Sequence, residues 1–261
     1  MTTKKLLLAI DVQNDFCHPE GALFVPGASE DVSRLSNFLH QHRAAIDTLI
    51  LTQDAHQVMD IAHAAFWTNA QGQHPNSYTN INYQDVAKGK WIPYFEHKRV
   101  EEYLKKLENQ NEFPHTIWPQ HCIDGSWGAA IADEFMHAVM AWAAQGRYTE
   151  MIRKGMHPLT EHFGALRANV PADDDISTSE NKRLLKLLDE SETIYIAGEA
   201  RSHCVANTMK QIMDYKSIIK KTILLTDCMS NVPGFETIAD PIYQKALALG
   251  AIMVSSTDVI I

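Results

Sequence analysis

The stretch Ile194-Tyr195-Ile196-Ala197-Gly198-Glu199-Ala200-Arg201-Ser202-His203-Cys204-Val205 leaves the chain few conformational options. A short apolar run stops at a glycine and a tight polar turn follows. Val205, Met209, Ile212 and Met213 then recur at helical spacing. The pattern reads as strand, elbow and helix, with Ser202 as the N-cap. Cys204 then falls in the first turn of that helix, where unpaired N–H groups and the positive end of the dipole favour a thiolate. A cysteine so placed can be a nucleophile. It can equally be one of the many free thiols that simply pack.

The same alternation runs through the chain. Residues 6–10 are continuously apolar, as suits a strand covered on both faces, and a Gly/Pro loop follows. A helix is predicted over 29–43, with Val32, Leu35 and Leu39 on one face and Glu30 and Asp31 in the first turn. Residues 46–52 form a second strand. A helix over 128–144 carries the stripe Ile131, Phe135, Val139 and Trp142, and 149–153 forms a third strand. Ser177-x-x-Glu180 matches a capping box opening a helix through 188. Strands at 193–197 and 223–226, a helix at 241–249 closed by Gly250, and a last strand at 252–255 complete the series. Strands alternating with helices predict an α/β fold: a three-layer αβα sandwich around a mainly parallel sheet of about six strands.

Residues 1–261 read as one domain, without repeat, low-complexity segment or linker. The stretch 67–114 stands apart, rich in Asn, Gln, Tyr and Gly. Its one periodic piece, 97–108, carries Val100, Tyr103, Leu104 and Leu107 on a face. It reads as a peripheral insertion with one helix, and loops this long are usually functional.

Charge narrows the function classes. Lys and Arg number 23 against 32 Asp and Glu, a net charge of -9 with no basic block. That argues against nucleic acid and anionic membrane surfaces as partners. The N-terminal apolar run breaks at Asp11 after five residues with no small-residue cleavage site, so it reads as a strand rather than a signal peptide. Nothing approaches the roughly 18 apolar residues of a membrane span. The four cysteines, Cys17, Cys122, Cys204 and Cys228, lack CxxC spacing and suit the reduced thiols of a cytoplasmic protein. The 13 histidines are many for this length and point mildly to metal or catalysis.

In parallel α/β sheets, sites gather beyond the carboxyl ends of strands. There the chain offers Asp11, then Asp54 and His56, then Lys154, then Cys204, and finally Asp227 with Cys228. Asp11 can serve as a general base if its surroundings tune it, or can cap a turn. Lys154 beside it could hold it in place and stabilise a thiolate, although most lysines are solvated surface charges. Asp54 and His56, two apart on extended backbone, point to one side and can begin a metal site or form a plain hydrogen-bonded pair. His121 could complete the site, but spacing does not separate it from His63, His74 or His115.

Together, Asp11-x-Gln-x-Asp-Phe16, Thr52-x-Asp-x-His56, Trp118-Pro-x-His-Cys122, Arg153-Lys-Gly155 and Gly198-x-Ala-x-x-His-Cys-Val205 resemble the isochorismatase-like cysteine hydrolases, and within them the nicotinamidase (pyrazinamidase) branch. The five motifs keep the family's order and span residues 6 to about 230, with 67–114 outside the match. The resemblance implies Asp11, Lys154 and Cys204 as the catalytic triad. It implies Asp54, His56 and His121 as ligands of one divalent metal ion (Zn, Fe or Mn), with His63 as an extra ligand or a close neighbour. It implies an oxyanion hole from the backbone N–H groups of Ala200 and Cys204, a cis Glu199–Ala200 bond, and Phe16 and Trp118 as walls for a flat ring. The implied substrate is a small-molecule amide, nicotinamide first, hydrolysed through a thioester. Another small amide or a carbamoyl compound is the alternative, and a non-enzymatic metal-binding member of the fold a third reading. The segment Met156-His157-Pro158-Leu159-Thr160-Glu161-His162-Phe163-Gly164 departs from the family, with an acid and histidines where aromatic and small residues line the pocket. The long insertion is placed to cover the entrance or to make homo-oligomer contacts.

Overall fold

In the computed structural model, which describes residues 4–260, the apolar runs become strands of one sheet. The order along the chain is β1 (Lys5–Ile10), α1 (Asn14–Cys17), α2 (Ala28–His42), β2 (Thr48–Asp54), β3 (Trp67–Thr68), α3 (Tyr83–Ala87), β4 (Ile92–Pro93), α4 (His97–Asn109), α5 (Asp133–Ala143) and β5 (Thr149–Lys154). Then come α6 (Lys182–Glu190), β6 (Thr193–Gly198), α7 (Ala206–Ile212), α8 (Lys216–Ile219), β7 (Thr222–Leu225), α9 (Asp240–Ala248) and β8 (Ile252–Val254). Among the described residues, the main sheet has six strands in the order β5-β2-β1-β6-β7-β8, and each neighbouring pair is parallel.

The continuous run of β1 serves both faces because successive side chains alternate. Leu7 and Ala9 join Leu35 and Phe38 of α2 and Phe135 and Trp142 of α5 in one buried cluster. Leu6, Leu8 and Ile10 join Leu184 and Leu188 of α6, Met209 and Ile212 of α7 and Tyr243 of α9 in the other. This is the expected three-layer sandwich. Residues 1–3, the start of the N-terminal reading, lie outside the described residues.

Local patterns were overruled where the backbone had other partners. The helix expected from 128 begins at Asp133. The carbonyls of Gly128 and Ala130 instead accept from the N–H groups of Asp15 and Asn14. The Ser177 capping box does not form. Ser177 sits in a short 3-10 turn capped by Asp175, and Glu180 accepts from the Tyr215 hydroxyl. Asn181 caps α6 instead, its Oδ1 accepting from Leu184 N–H at 3.0 Å. The stretch 67–114 carries two helices rather than one, with the antiparallel pair β3 and β4 between Trp67–Thr68 and Ile92–Pro93. Trp67, Val100, Tyr103 and Leu104 form a third cluster there with Ile61, Ile117, Leu159 and Val170.

Candidate active site

Register decides which strand ends meet. β1 and β6 pair so that Ile10 stands opposite Gly198, and β2 and β5 so that Asp54 stands opposite Lys154. Asp11 and Glu199 therefore leave the sheet side by side, while Asp54 and Lys154 leave it together. Gly198 has φ +113°, and a Cβ there would run into the Ile10 backbone, so the position requires glycine.

Beyond Gly198 the Glu199–Ala200 bond is cis, as the resemblance implied. The chain then makes a wide π-type turn, Arg201–Val205, before α7. Because the turn opens at Arg201, the cap position falls on Ala200, which has no side-chain acceptor. Ser202 is therefore not the N-cap. Its hydroxyl accepts from Val232 N–H at 3.0 Å and lies 2.9 Å from His203 Nδ1. Among the described residues, the Ala200 N–H donates to no backbone or side-chain acceptor.

Asp11, Lys154 and Cys204 come together here, all buried. Lys154 Nζ lies 2.8 Å from Asp11 Oδ2, 3.1 Å from Asp54 Oδ1 and 3.6 Å from Cys204 Sγ. Thr52 donates its hydroxyl to Asp11 Oδ1 at 2.6 Å. Burial raises the Asp11 carboxyl above its ordinary range, against the pull of Lys154 and the Thr52 hydrogen bond. Burial likewise pushes the Cys204 thiol well up, opposed by Lys154, so the resting sulfur is a thiol and not the thiolate that helix position alone suggests. Burial works against the Lys154 charge too, but Asp11 and Asp54 override it and keep the ammonium charged.

A second cluster abuts the first through Asp54. Ligand-type atoms of Asp54, His56 and His121 all lie within 4.8 Å of one another. His56 Nε2 is 3.1 Å and His121 Nε2 3.5 Å from Asp54 Oδ2. Each ring is anchored by its other nitrogen: His56 Nδ1 to Asp60 Oδ2 at 3.1 Å, His121 Nδ1 to the Pro119 carbonyl at 2.8 Å. That anchoring turns Nε2 of both inward, the arrangement metal-binding histidines use. His63 holds the Gln57 carbonyl through Nδ1 at 3.0 Å, and its buried Nε2 has no partner among the described residues. Its ring stands 5.1 Å from that of His56 and 5.4 Å from that of His121. Burial and the two neighbouring imidazoles push His63 down to about 3, so it is neutral with a lone pair to offer. One carboxylate and two inward imidazole nitrogens fit a divalent cation, with the His63 ring beside them. Of the other histidines left open by spacing, His115 is tied to the Ile61 carbonyl at 3.0 Å, and His74 to the Trp67 carbonyl at 2.6 Å.

A narrow cleft with a cavity volume of only about 20 Å³ lies over both clusters. Phe16, Trp118 and Phe163 wall it together with Leu23 and Val232. Ala200, His203, Cys204, Asp54, His56 and His121 supply its polar side and floor. The rings of Trp118 and His203 meet edge-on at 5.0 Å. Burial pushes His203 down to about 3, so it is neutral. The buried Ser202 hydroxyl finds an acceptor only if His203 Nδ1 is unprotonated, which puts the ring proton on Nε2.

Several residues here escaped the sequence reading. Gln13 clamps the end of β2, donating to the Asp54 carbonyl at 2.8 Å and accepting from Asp54 N–H at 2.7 Å. Asp15 Oδ2 accepts from Cys122 N–H at 2.6 Å and so fixes the chain beside His121. Both belong to the Asp11–Phe16 motif, whose carboxylate and amide types were the available signal. His203 likewise stands in the Gly198–Val205 motif, whereas Asp60 had no such signal. In the divergent segment, Glu161 and His162 are buried away from the cleft and Phe163 alone lines it, so the aromatic wall is kept. Asp227 and Cys228 lie outside the site, Asp227 accepting from Ser255 and Ser256.

No family model matches the chain. In sequence it is similar to the nicotinamidase of Saccharomyces cerevisiae, 24% identical over 206 residues that cover 78% of this chain and 79% of that protein. It is 25% identical to the nicotinamidase of Escherichia coli over 228 residues, 85% of this chain and 81% of that one. Its fold is shared with a nicotinamidase/pyrazinamidase from Acinetobacter (TM-score 0.67, 22% identity, 99% of each chain). It is shared also with the yeast nicotinamidase bound to the inhibitor nicotinaldehyde (TM-score 0.65, 19% identity, 96% of this chain and 99% of that one). A third is the pyrazinamidase of Pyrococcus horikoshii in complex with zinc (TM-score 0.55, 16% identity, 97% and 99%). The resemblance read from the five motifs is borne out by relatives of that name and by structures of that fold.

Proposed function

We propose that this chain is a metal-dependent amidohydrolase with a cysteine nucleophile, and that it hydrolyses nicotinamide to nicotinate and ammonia. The observation that carries the reading is Lys154: one buried ammonium within 3.6 Å of Asp11, Asp54 and Cys204 joins the acid–thiol pair to the ligand cluster. The relatives' names and the small aromatic cleft support the substrate.

Asp11 takes the thiol proton of Cys204, and its raised affinity for protons suits it to do so. Lys154 stabilises the thiolate as it forms. The sulfur attacks the carboxamide carbon, and the Ala200 and Cys204 N–H groups receive the oxyanion. Asp11 returns the proton to the departing ammonia as the C–N bond breaks, and water then cleaves the thioester. Phe16, Trp118 and Phe163 hold the flat ring, and His203 offers its Nε2–H at the cleft wall. Asp54, His56 and His121, with His63 beside them, would hold the cation, for which zinc, iron and manganese are the candidates. Such an ion supplies Lewis acidity toward substrate or water.

The test is ammonia release from nicotinamide and pyrazinamide, with and without a chelator. Turnover that disappears on chelation and returns with added metal is the expected result. Silence on both amides, with release from a different amide, would overturn the substrate. Turnover indifferent to chelation would overturn the metal dependence.

A further inference from the structure

Glu199 is a buried acid inside the elbow that the proposed chemistry does not use. It is 1% exposed. Its Oε2 accepts from Ser230 N–H at 3.2 Å, while its buried Oε1 has no partner among the described residues. Asp31 on α2 lines the same small cavity as Glu199, and Ser230 serves both acids, its N–H bound to Glu199 and its hydroxyl to Asp31. Both oxygens of Asp31 already accept: Oδ1 from Arg34 at 2.6 Å and Oδ2 from the Ser230 hydroxyl at 2.5 Å. Two ionised carboxylates would repel across this contact with little solvent to screen them. A proton on Oε1 removes the repulsion and gives that atom its missing bond.

We infer that Glu199 is a positioning residue: it holds one proton between itself and Asp31, and through that bond ties the elbow to α2. Other hydrogen bonds also fix the elbow, among them the Tyr243 hydroxyl to the Arg201 carbonyl at 2.6 Å and the Gly198 N–H to the Cys228 carbonyl at 3.0 Å. Glu199 N–H donates to the Ile10 carbonyl at 2.8 Å, and Arg201 N–H to the Ser230 carbonyl at 2.8 Å. Ser230 thus meets Glu199, Arg201 and Asp31 through three different atoms. What this clamp orients is the Ala200 N–H, the donor assigned to the oxyanion hole. The role in turnover rests on the functional reading above; the shared proton stands on the geometry.

Other groups near Glu199 are Arg34 of α2, Cys17 of α1, Cys228 after β7, and Tyr243 of α9. Burial and Asp31 push the Glu199 carboxyl well above its ordinary range. A raised native value sets the sign. The protonated form is native, its stabilisation is complete below the ordinary glutamate range, and it is lost as pH rises through the native value.

The test compares wild type, Glu199→Gln and Glu199→Ala. Glutamine keeps an acceptor for Ser230 and a donor for Asp31, so E199Q should retain at least half of wild-type kcat. E199A should lose about 10- to 100-fold in kcat with KM little changed, less than the about 10²- to 10³-fold that removing an oxyanion donor outright costs, because the Ala200 N–H is misplaced rather than lost. Melting temperature supplies a readout independent of turnover. Relative to E199Q, which cannot ionise, wild type should lose about 5 °C or more between about pH 5 and about pH 9. E199Q as damaged as E199A, or parallel melting profiles, would overturn the shared proton. An E199A with wild-type kcat would overturn the positioning role. If E199A fails to fold, E199Q kinetics and melting still decide. A wild-type protein with no amide turnover would sink the functional reading and the positioning role with it, while the melting curves would still decide the proton.

Discussion

Two buried polar centres lie side by side beyond the strand ends, and burial acts on them with opposite results. In the group of Asp11, Lys154 and Cys204, desolvation prevails on the acids: the sulfur stays a thiol and Asp11 is lifted above its ordinary range. In the group of Asp54, His56 and His121, desolvation is overridden at Asp54 and His56. Lys154 and His56 hold Asp54 well below its ordinary range, and Asp54 and Asp60 raise His56. Opposite charge makes the difference. Asp54 meets an ammonium and two imidazoles, whereas Cys204 meets only the ammonium and an acid. The first centre is poised to move a proton and the second to hold a charge, and Lys154 belongs to both.

That division can be broken most sharply at Cys204. Cys204→Ala should lower ammonia release by about 10⁴-fold or more, because a nucleophile acting within a unit has no substitute. Metal binding, measured by competition with a chromogenic chelator, should stay within a factor of two of wild type. A large fall in metal affinity would show that the centres are one. Lys154→Met should damage both. It leaves Asp11 and Asp54 without their buried cation, at about 3–5 kcal/mol in stability by denaturant unfolding, with activity lost as well. A variant of wild-type stability would mean Lys154 is not what holds the carboxylates together.

Asp60→Ala acts on the second centre alone. It frees His56 Nδ1, and metal affinity should fall about 10- to 100-fold. An unchanged chelator titration would refute the anchoring role of Asp60. Thr52→Val gives the smallest effect and tests the first centre. The Thr52 hydroxyl favours the ionised form of Asp11, so its loss raises Asp11 further. Asp11 must be ionised to take the thiol proton. The acid limb of kcat/KM should therefore move to higher pH, by about one unit or less. A limb that stays put, or moves down, would remove Asp11 from the role of base.

The strands were legible because a strand buried on both faces needs an unbroken apolar run, and Leu6 to Ile10 is one. The acid–thiol–lysine group was legible because parallel strands deliver their next residues to one edge. The failures share a cause. Ser177 looked like a cap and Ser202 like another, yet Asn181 and the wide turn at Arg201 took those places. Capping patterns are short, and neighbours distant in sequence decide between them. Gln13 reaches Asp54 across 41 residues and Asp15 reaches Cys122 across 107, separations at which residue type carries no partner information.

By itself the sequence determined the alternation of strand and helix, and with it the edge where the chemistry collects. It also marked the place of the elbow, where the apolar run stops at Gly198, although the close approach of Ile10 that requires glycine there comes from strand register. Tertiary structure alone decided protonation and partnership. It decided that Cys204 rests as a thiol, that His56 and His121 turn Nε2 inward, that Phe163 and not Glu161 faces the cleft, and that Glu199 meets Asp31. Those outcomes depend on how deeply each group is buried and which charge stands opposite it. Both are properties of three-dimensional neighbours, set by strand register and helix packing.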